Sequence, residues 1–595
     1  MAGIERFFAT TVSQVNGAPA FGGSPSDAGL VRSIQNIKSR GLKVTYNPFL
    51  MMDVPNDNQL PDPYSDSVGQ ATYPWRGRIT ASLAPNVDGS PDGSSDLRAE
   101  VDAFLGTAGV HQFSVSNGQV SFAGGDDWGY RRFILHAAHL CASAGGVDTF
   151  LIGSEMRSLT LLRDESGRHP FVEGLIALAA DVRSILGPDT LITYGADWSE
   201  YFGHHPQDGS GDVLFHLDPL WSDENIDAIG IDNYMPLADW RDGSAHLDAQ
   251  EYASIYDAEY LDQNIKGGEG FDWFYASDAD RQTQNRTPIT DGTYNKPWVF
   301  RYKDLVSWWS NQHFERHNGV EANSPTVWVP QSKPIIFTEV GVPAIDKAAN
   351  QPNVFFDPNS SEGATPHFST VTRDDNAQRA SLTAIHQHWA KAENNPSSSI
   401  YDGTMVDTTK THIWAWDVRP YPLFPQQNEI WADSENWRYG HWLNGRLGSA
   451  PLGELIQDIV KQYTNLDIDV SDIHDTVDGY VISDRVSARN ALETLLELYQ
   501  IDLLERSGNL IAISRHRLPD ATVENVDYVN VDDTPEVTRQ REQSDEIPSA
   551  LSLAYQDIDA DFRAVTCSSR RLTGCLLYTS PSPRDLSTSR MPSSA

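Results

Sequence analysis

Two glutamates stand at the ends of apolar, β-rich runs: Thr149-Phe-Leu-Ile-Gly-Ser-Glu155 and Pro334-Ile-Ile-Phe-Thr-Glu339. Short apolar runs bounded by turn residues read as buried strands. Each run therefore delivers a carboxyl group where its strand ends. Paired carboxyl groups cleave glycosidic bonds. One protonates the leaving oxygen, and the other attacks the sugar carbon or activates a water. A spacing of about 5 to 5.5 Å gives retention and roughly 6.5 to 9.5 Å gives inversion. The arrangement predicts a retaining enzyme with Glu155 as acid/base and Glu339 as nucleophile. The acid must hold its proton near neutrality, and the charge of the second carboxylate favours that. Either glutamate alone also reads as a strand-end residue paired with an arginine. Two on matching strands, with aromatics on the others, favour the catalytic reading.

Those aromatics are Trp198, Tyr234, Trp414 and Trp416, on or just after three further apolar runs. Sugar C–H faces stack on such rings, although any single one also reads as core packing. Strand side chains alternate, so only one of Trp414 and Trp416 faces inward. Asp197, Asp232, Asn233 and Asp417 stand beside them and suit sugar hydroxyls or the orientation of the glutamates. His204, His205 and His216 have no metal-ligand spacing such as HExxH, so neither a metal nor another cofactor is expected.

The elements that must position these residues alternate between strand and helix from about residue 27 to 418. Strands are expected at Lys43–Leu50, Thr149–Glu155, Leu191–Tyr194, Asp227–Asp232, Pro334–Glu339 and His412–Asp417. Helices with apolar stripes lie between them, over 131–142 and 175–186 for example, the latter stopped by Gly187-Pro188. Alternation of this kind implies βαβ units and a parallel sheet. A closed (β/α)₈ barrel needs eight strands. A seventh fits Arg6–Val12, and the first is expected upstream of Met1. Counted back from the last strand, Glu155 and Glu339 fall on the fourth and seventh, at the catalytic face of such a barrel.

A second, α+β unit is expected from residue 441 to 574. Its helices carry Leu452 to Tyr463 and Ala488 to Tyr499, the second capped by Ser487, and a hairpin turns at Ser507-Gly508-Asn509. Residues 575–595 are Ser/Pro-rich and without period. They read as a translated sequencing-adapter remnant rather than as protein.

The 595 residues exceed what one core supports, and the net charge of −38 argues against nucleic acid or anionic lipid as partner. No run approaches the ~18 to 20 apolar residues of a membrane helix, and no signal peptide is visible in Met1–Ala20. The three cysteines, Cys141, Cys567 and Cys575, form neither a disulfide framework nor a zinc site.

Longer motifs carry a resemblance. Gly-Ser-Glu155-Met-Arg-Ser-Leu-Thr160, Ala-Asp-Trp-Ser-Glu-Tyr-Phe-Gly-His204, Gly-Ile-Asp-Asn-Tyr234, Lys-Pro-Trp-Val-Phe-Arg-Tyr-Lys303, Trp-Val-Pro-Gln-Ser-Lys-Pro334 and Gly-His-Trp-Leu-Asn-Gly-Arg-Leu447 resemble the TIM-barrel-like domain of gene transfer agent and phage tail proteins. The resemblance spans roughly residues 20 to 447. It continues over 448–570 into what looks like a phage-tail hub region. It implies a glycoside-hydrolase-like barrel at the tail tip (baseplate) of a phage-like particle, made in the bacterial cytoplasm. It further implies homo-oligomeric assembly with other tail subunits, and cell-surface or cell-wall polysaccharide as the target. A departure from hydrolase barrels is Ser154, which stands where many of them carry Asn before the acid/base. A barrel that binds glycans or subunits without cutting is the alternative. An ordinary secreted hydrolase is a third, against which the hub-like region counts.

Overall fold

The computed structural model describes residues 13–20, 25–116, 118–419, 423–443, 450–464, 466–477, 479–482, 485–515, 548–557 and 563–570. The expected strand over 6–12 and the tail 575–595 lie outside them. The chain divides into two compact units, 1–517 and 518–595.

The first unit is built on a six-stranded parallel sheet: β1 (Thr45–Tyr46), β2 (Thr149–Ser154), β3 (Leu191–Asp197), β4 (Ile229–Asn233), β5 (Ile335–Gly341) and β6 (Ile413–Trp414). Spatial order follows sequence order, β1-β2-β3-β4-β5-β6, with every pair parallel. Its two edges meet. His412 Nε2 lies 2.8 Å from Thr45 Oγ1, and the Trp414 ring stacks on Phe49 at 5.4 Å. The sheet is therefore curled into an α/β TIM-barrel domain. Every residue of β2, β4 and β5 is buried. Continuous apolar strands of this kind are what a sheet covered on both faces requires.

The helices pack outside. α1 (Asp27–Ser39) starts at Ser26, whose hydroxyl accepts from Gly29 N. α2 spans Leu97–Leu105 and α3 Tyr130–Ser143. α4 (Pro170–Leu186) turns Phe171, Val172, Leu175, Leu178, Ala179 and Val182 inward and stops at Gly187 with φ +82°. Each large side chain in that stripe contributes about 1.5–3 kcal/mol on burial. α5 (Asp375–Ala390) is capped by Asp374.

Two strands are shorter than expected. β1 stops before Pro48, which has no N–H for a ladder. β6 stops at Trp414 because Ala415 N bonds instead to His441 O. Two others run longer: β3 continues to Asp197, and β5 passes Glu339 to Gly341.

The smaller α+β domain has its own core. α6 (Leu452–Tyr463) and α7 (Ala488–Leu498) pack Leu452, Ile456, Ile459, Leu492 and Leu495 against β7 (Ile468–Asp469), β8 (Ile501–Arg506) and β9 (Asn509–Ser514). The β8–β9 turn has φ +54° at Ser507 and +82° at Gly508, the left-handed pair that a two-residue hairpin requires. In the second unit, β10 (Ala550–Asp557) pairs antiparallel with β11 (Arg563–Arg570). No helix among the described residues is long and apolar enough to cross a membrane.

Candidate active site

Both glutamates sit at irregularities of the sheet. The β2–β3 register shifts between Leu151 and Ser154, and the β5–β4 register shifts between Phe337 and Glu339. Such breaks re-aim side chains. Consecutive residues of β5 both reach β4 and the segment after it. Thr338 Oγ1 donates to Asp232 Oδ1 at 2.6 Å, and Glu339 Oε2 accepts from Tyr234 OH at 2.6 Å. Glu155 follows β2 with φ +51°, left-handed for a non-glycine residue. That costs on the order of 1–3 kcal/mol and survives only where the surroundings enforce it. Here they do: Glu155 N donates to Gly195 O, and the next amide, Met156 N, donates to Tyr194 OH at 2.7 Å.

The two glutamates come together. Oxygens of Glu155, Asp232 and Glu339 lie within 4.8 Å of one another, and all three residues are buried. A guanidinium joins them: Arg76 Nη2 is 2.9 Å from Glu155 Oε2 and 3.7 Å from Glu339 Oε1. Arg76 Nε donates to Ser154 O and Oγ at 3.1 Å. Its guanidinium carbon lies 3.9 Å from the centre of the Phe49 ring, which stacks on Trp414. Beside it, Trp75 Nε1 donates to Glu155 Oε2 at 2.6 Å.

Three buried carboxyl groups around one cation leave excess negative charge, which the site offsets by holding protons. Burial pushes the Glu339 carboxyl up to about 8, reinforced by the charge of Glu155 and opposed by Arg76. Burial, then Glu339 and Glu155, hold Asp232 well above the ordinary carboxyl range. Burial and Glu155 raise Asp197 to about 6. Glu200 is pushed up to about 8, by burial first. It accepts from Thr160 Oγ1 (2.6 Å) and Tyr194 OH (3.2 Å), so it supports the tyrosine that holds the loop after Glu155.

Asp232 Oδ2 and Glu339 Oε1 accept no hydrogen bond among the described residues. Three carboxyl groups at this spacing are also the donor set of a hard cation. Arg76 already places a positive charge there.

The remaining expected residues are distributed more widely. Asn233 is buried, and its Oδ1 accepts from Met235 N. Trp198 packs edge-on against Tyr302. Trp414 joins the stack over Arg76, whereas Trp416 is 60% exposed. Asp417 is clamped by Arg419 and accepts from Trp442 Nε1 at 2.9 Å. Burial lowers His204 to about 3 and His205 to about 4, so both stay neutral packing residues. Trp75 and Arg76 were not among the expected residues. Their signal is Tyr73-Pro-Trp-Arg-Gly-Arg78 inside the long loop after β1, because loops at strand ends build barrel sites.

Residues 128–425 match the family model described as GTA TIM-barrel-like domain, and residues 487–582 match the one described as putative phage tail protein. No curated protein matches the chain. Similar solved structures include a GH113 β-1,4-mannanase in complex form (14% identity, 70% of this chain and 74% of that one, TM-score 0.29). Another is the GH113 β-mannanase of Alicyclobacillus acidocaldarius (15% identity, 73% and 79%, TM-score 0.30). The first family match spans half of the sequence and contains β2 to β6 and both glutamates; the chain belongs to the GTA TIM-barrel-like domain family.

Proposed function

We propose that the chain is a tail component of a phage-like particle whose barrel is a retaining O-glycoside hydrolase acting on cell-surface or cell-wall polysaccharide. The observation that carries this reading is the approach of Glu155 and Glu339 oxygens to within 4.8 Å. That favours the short spacing of double displacement over the wider one that admits a water. Double displacement requires Glu339 as the carboxylate nucleophile and Glu155 as the proton donor. Glu339 attacks the anomeric carbon while Glu155 protonates the departing oxygen. Glu155 then takes a proton from the water that releases the glycosyl group. Arg76 and the Tyr234 hydroxyl stabilise the ionised Glu339.

The tail role rests on the match of 487–582 to a putative phage tail protein, and assembly with neighbouring tail subunits is part of the proposal. The second reading is a barrel that binds glycans or subunits without cutting. It is favoured by the near-complete burial of both glutamates, 6% and 4% exposed, against Arg76.

Turnover separates the two. Glu339→Ala is expected to lower polysaccharide hydrolysis by about three orders of magnitude or more while circular dichroism still shows a folded barrel. NMR of the first product is expected to show a retained anomeric configuration. Wild-type turnover in the variant, or inversion, removes Glu339 from the nucleophile's role. No turnover by the wild type across a polysaccharide panel leaves the binding barrel.

A further inference from the structure

Glu362 lies in the loop after β5, far in sequence from Trp75, yet its Oε2 accepts from Trp75 N at 2.5 Å, and its Oε1 pairs with Arg78 Nη1 at 3.3 Å. Two more bonds tie the same segments together. Ser361 N donates to Thr72 O, and Ser360 Oγ donates to Tyr73 O, both at 2.9 Å. The indole pose is also built from below. A Cβ on Gly77 would lie 2.4 Å from the Trp75 ring, so only glycine lets the ring fold back over that position. The far end of this construction is the 2.6 Å bond from Trp75 Nε1 to Glu155 Oε2.

We propose that Glu362 is a positioning residue for the proton donor of the site, acting through Trp75. Glu155 Oε2 is taken by the indole N–H and by Arg76. Its other oxygen, Oε1, is the one that carries the proton to the leaving oxygen. Glu362 fixes the backbone from which Trp75 makes that selection. The inference rests on the hydrolase reading for its catalytic consequence, though not for the contact itself. The charged groups facing Glu155 are Arg76 from the same segment, Asp197 from β3, Asp232 from β4 and Glu339 from β5. None of them is altered in the test.

Trp75→Phe removes one donor to the ionised form of the acid, which favours its protonated form. The alkaline limb of kcat/KM, which reports that acid, is expected to move to higher pH. kcat is expected to fall roughly tenfold or more with little change in KM. Glu362→Ala shifts the limb in the same direction by less. It adds nothing to Trp75→Phe in the double variant, because both act on one contact. Glu362→Gln, which still accepts from Trp75 N, restores the wild-type profile.

A readout without turnover runs alongside. Trp75 emission is taken as the difference between each protein and its own Trp75→Phe counterpart. It is expected to titrate with pH in wild type and Glu362→Gln, and to lose that titration in Glu155→Gln and Glu362→Ala. Additive effects of Trp75→Phe and Glu362→Ala, or a Glu362→Ala protein with wild-type emission titration, overturn the proposal. If no protein turns over polysaccharide, the hydrolase reading fails and the emission arm still decides the contact.

Discussion

Glu200 holds its proton in the folded barrel up to about pH 8, whereas in the unfolded chain it loses it near the ordinary 4.5. Between those values the native state binds the extra proton, so stability is full below about pH 4.5 and is lost as pH rises through about 8. Glu200→Gln cannot lose that proton. It is expected to be no more stable than wild type at pH 5, where its amide faces the Asp197 amide N–H that now bonds Glu200 Oε2. By pH 9 it is expected to gain several kcal/mol relative to wild type, on the order of 1.4 kcal/mol per unit of pKa shift. Urea unfolding of both proteins at the two pH values measures this. Parallel pH dependences would mean that Glu200 is ionised in the native barrel. Glu155 and Glu339 were legible because each ends an apolar run, so strand geometry alone delivers it to the C-terminal face of the barrel. Arg76 and Trp75 come from an aperiodic loop and meet Glu155 only through tertiary closure, with Trp75 and Glu155 80 positions apart. No local spacing encodes that meeting.

At the scale of elements, the strands were more legible in their centres than at their ends. Continuous burial marks β2, β4 and β5 in composition. The ends depend on where a neighbouring strand stops supplying partners, and the bulges before Glu155 and Glu339 leave no mark on periodicity. Gly230, in the middle of β4, shows what such close pairing demands. A Cβ there would stand 2.3 Å from the carbonyl oxygen of Tyr194 on β3, a backbone atom that cannot rotate away. Gly230→Ala must therefore push β3 and β4 apart two residues before Asp232. The expected cost is about 1–3 kcal/mol or more, with lower melting temperature and loss of whatever activity or glycan binding the wild type shows. A Gly230→Ala protein with native melting would mean that the two strands yield more freely than their burial implies.

At the scale of the molecule, the described residues of the first unit hold the barrel core, a small cluster at Val342, Ile345, Ala348 and Ala377 joined to it through Tyr256 and Leu382, and a core around Leu452, Ile456, Leu492 and Leu495 that shares no residue with either. Separate cores unfold as separate cooperative transitions unless an interface couples them. The buried carboxyl groups held above their ordinary range at the site, Asp197, Glu200, Asp232 and Glu339, all belong to the barrel. The resolved carboxyl shifts of the smaller domain, at Asp469 and Asp502, are downward and caused by hydrogen bonds at exposed positions. Calorimetry is therefore expected to show two transitions that respond differently to pH. From about pH 7 to 8, above the range in which the barrel's buried histidines charge in the unfolded chain, the barrel transition moves to lower temperature, because over that span Glu200 and Glu339 hold native-state protons that the unfolded chain has lost. The smaller transition stays nearly fixed, since groups with lowered values are ionised in both states throughout it. Glu200→Gln identifies the barrel transition by flattening its pH slope alone. A single transition, with one slope for the whole chain, would mean that the contacts between the two cores are strong enough to make them unfold together. The barrel's protons would then govern the stability of the smaller domain as well.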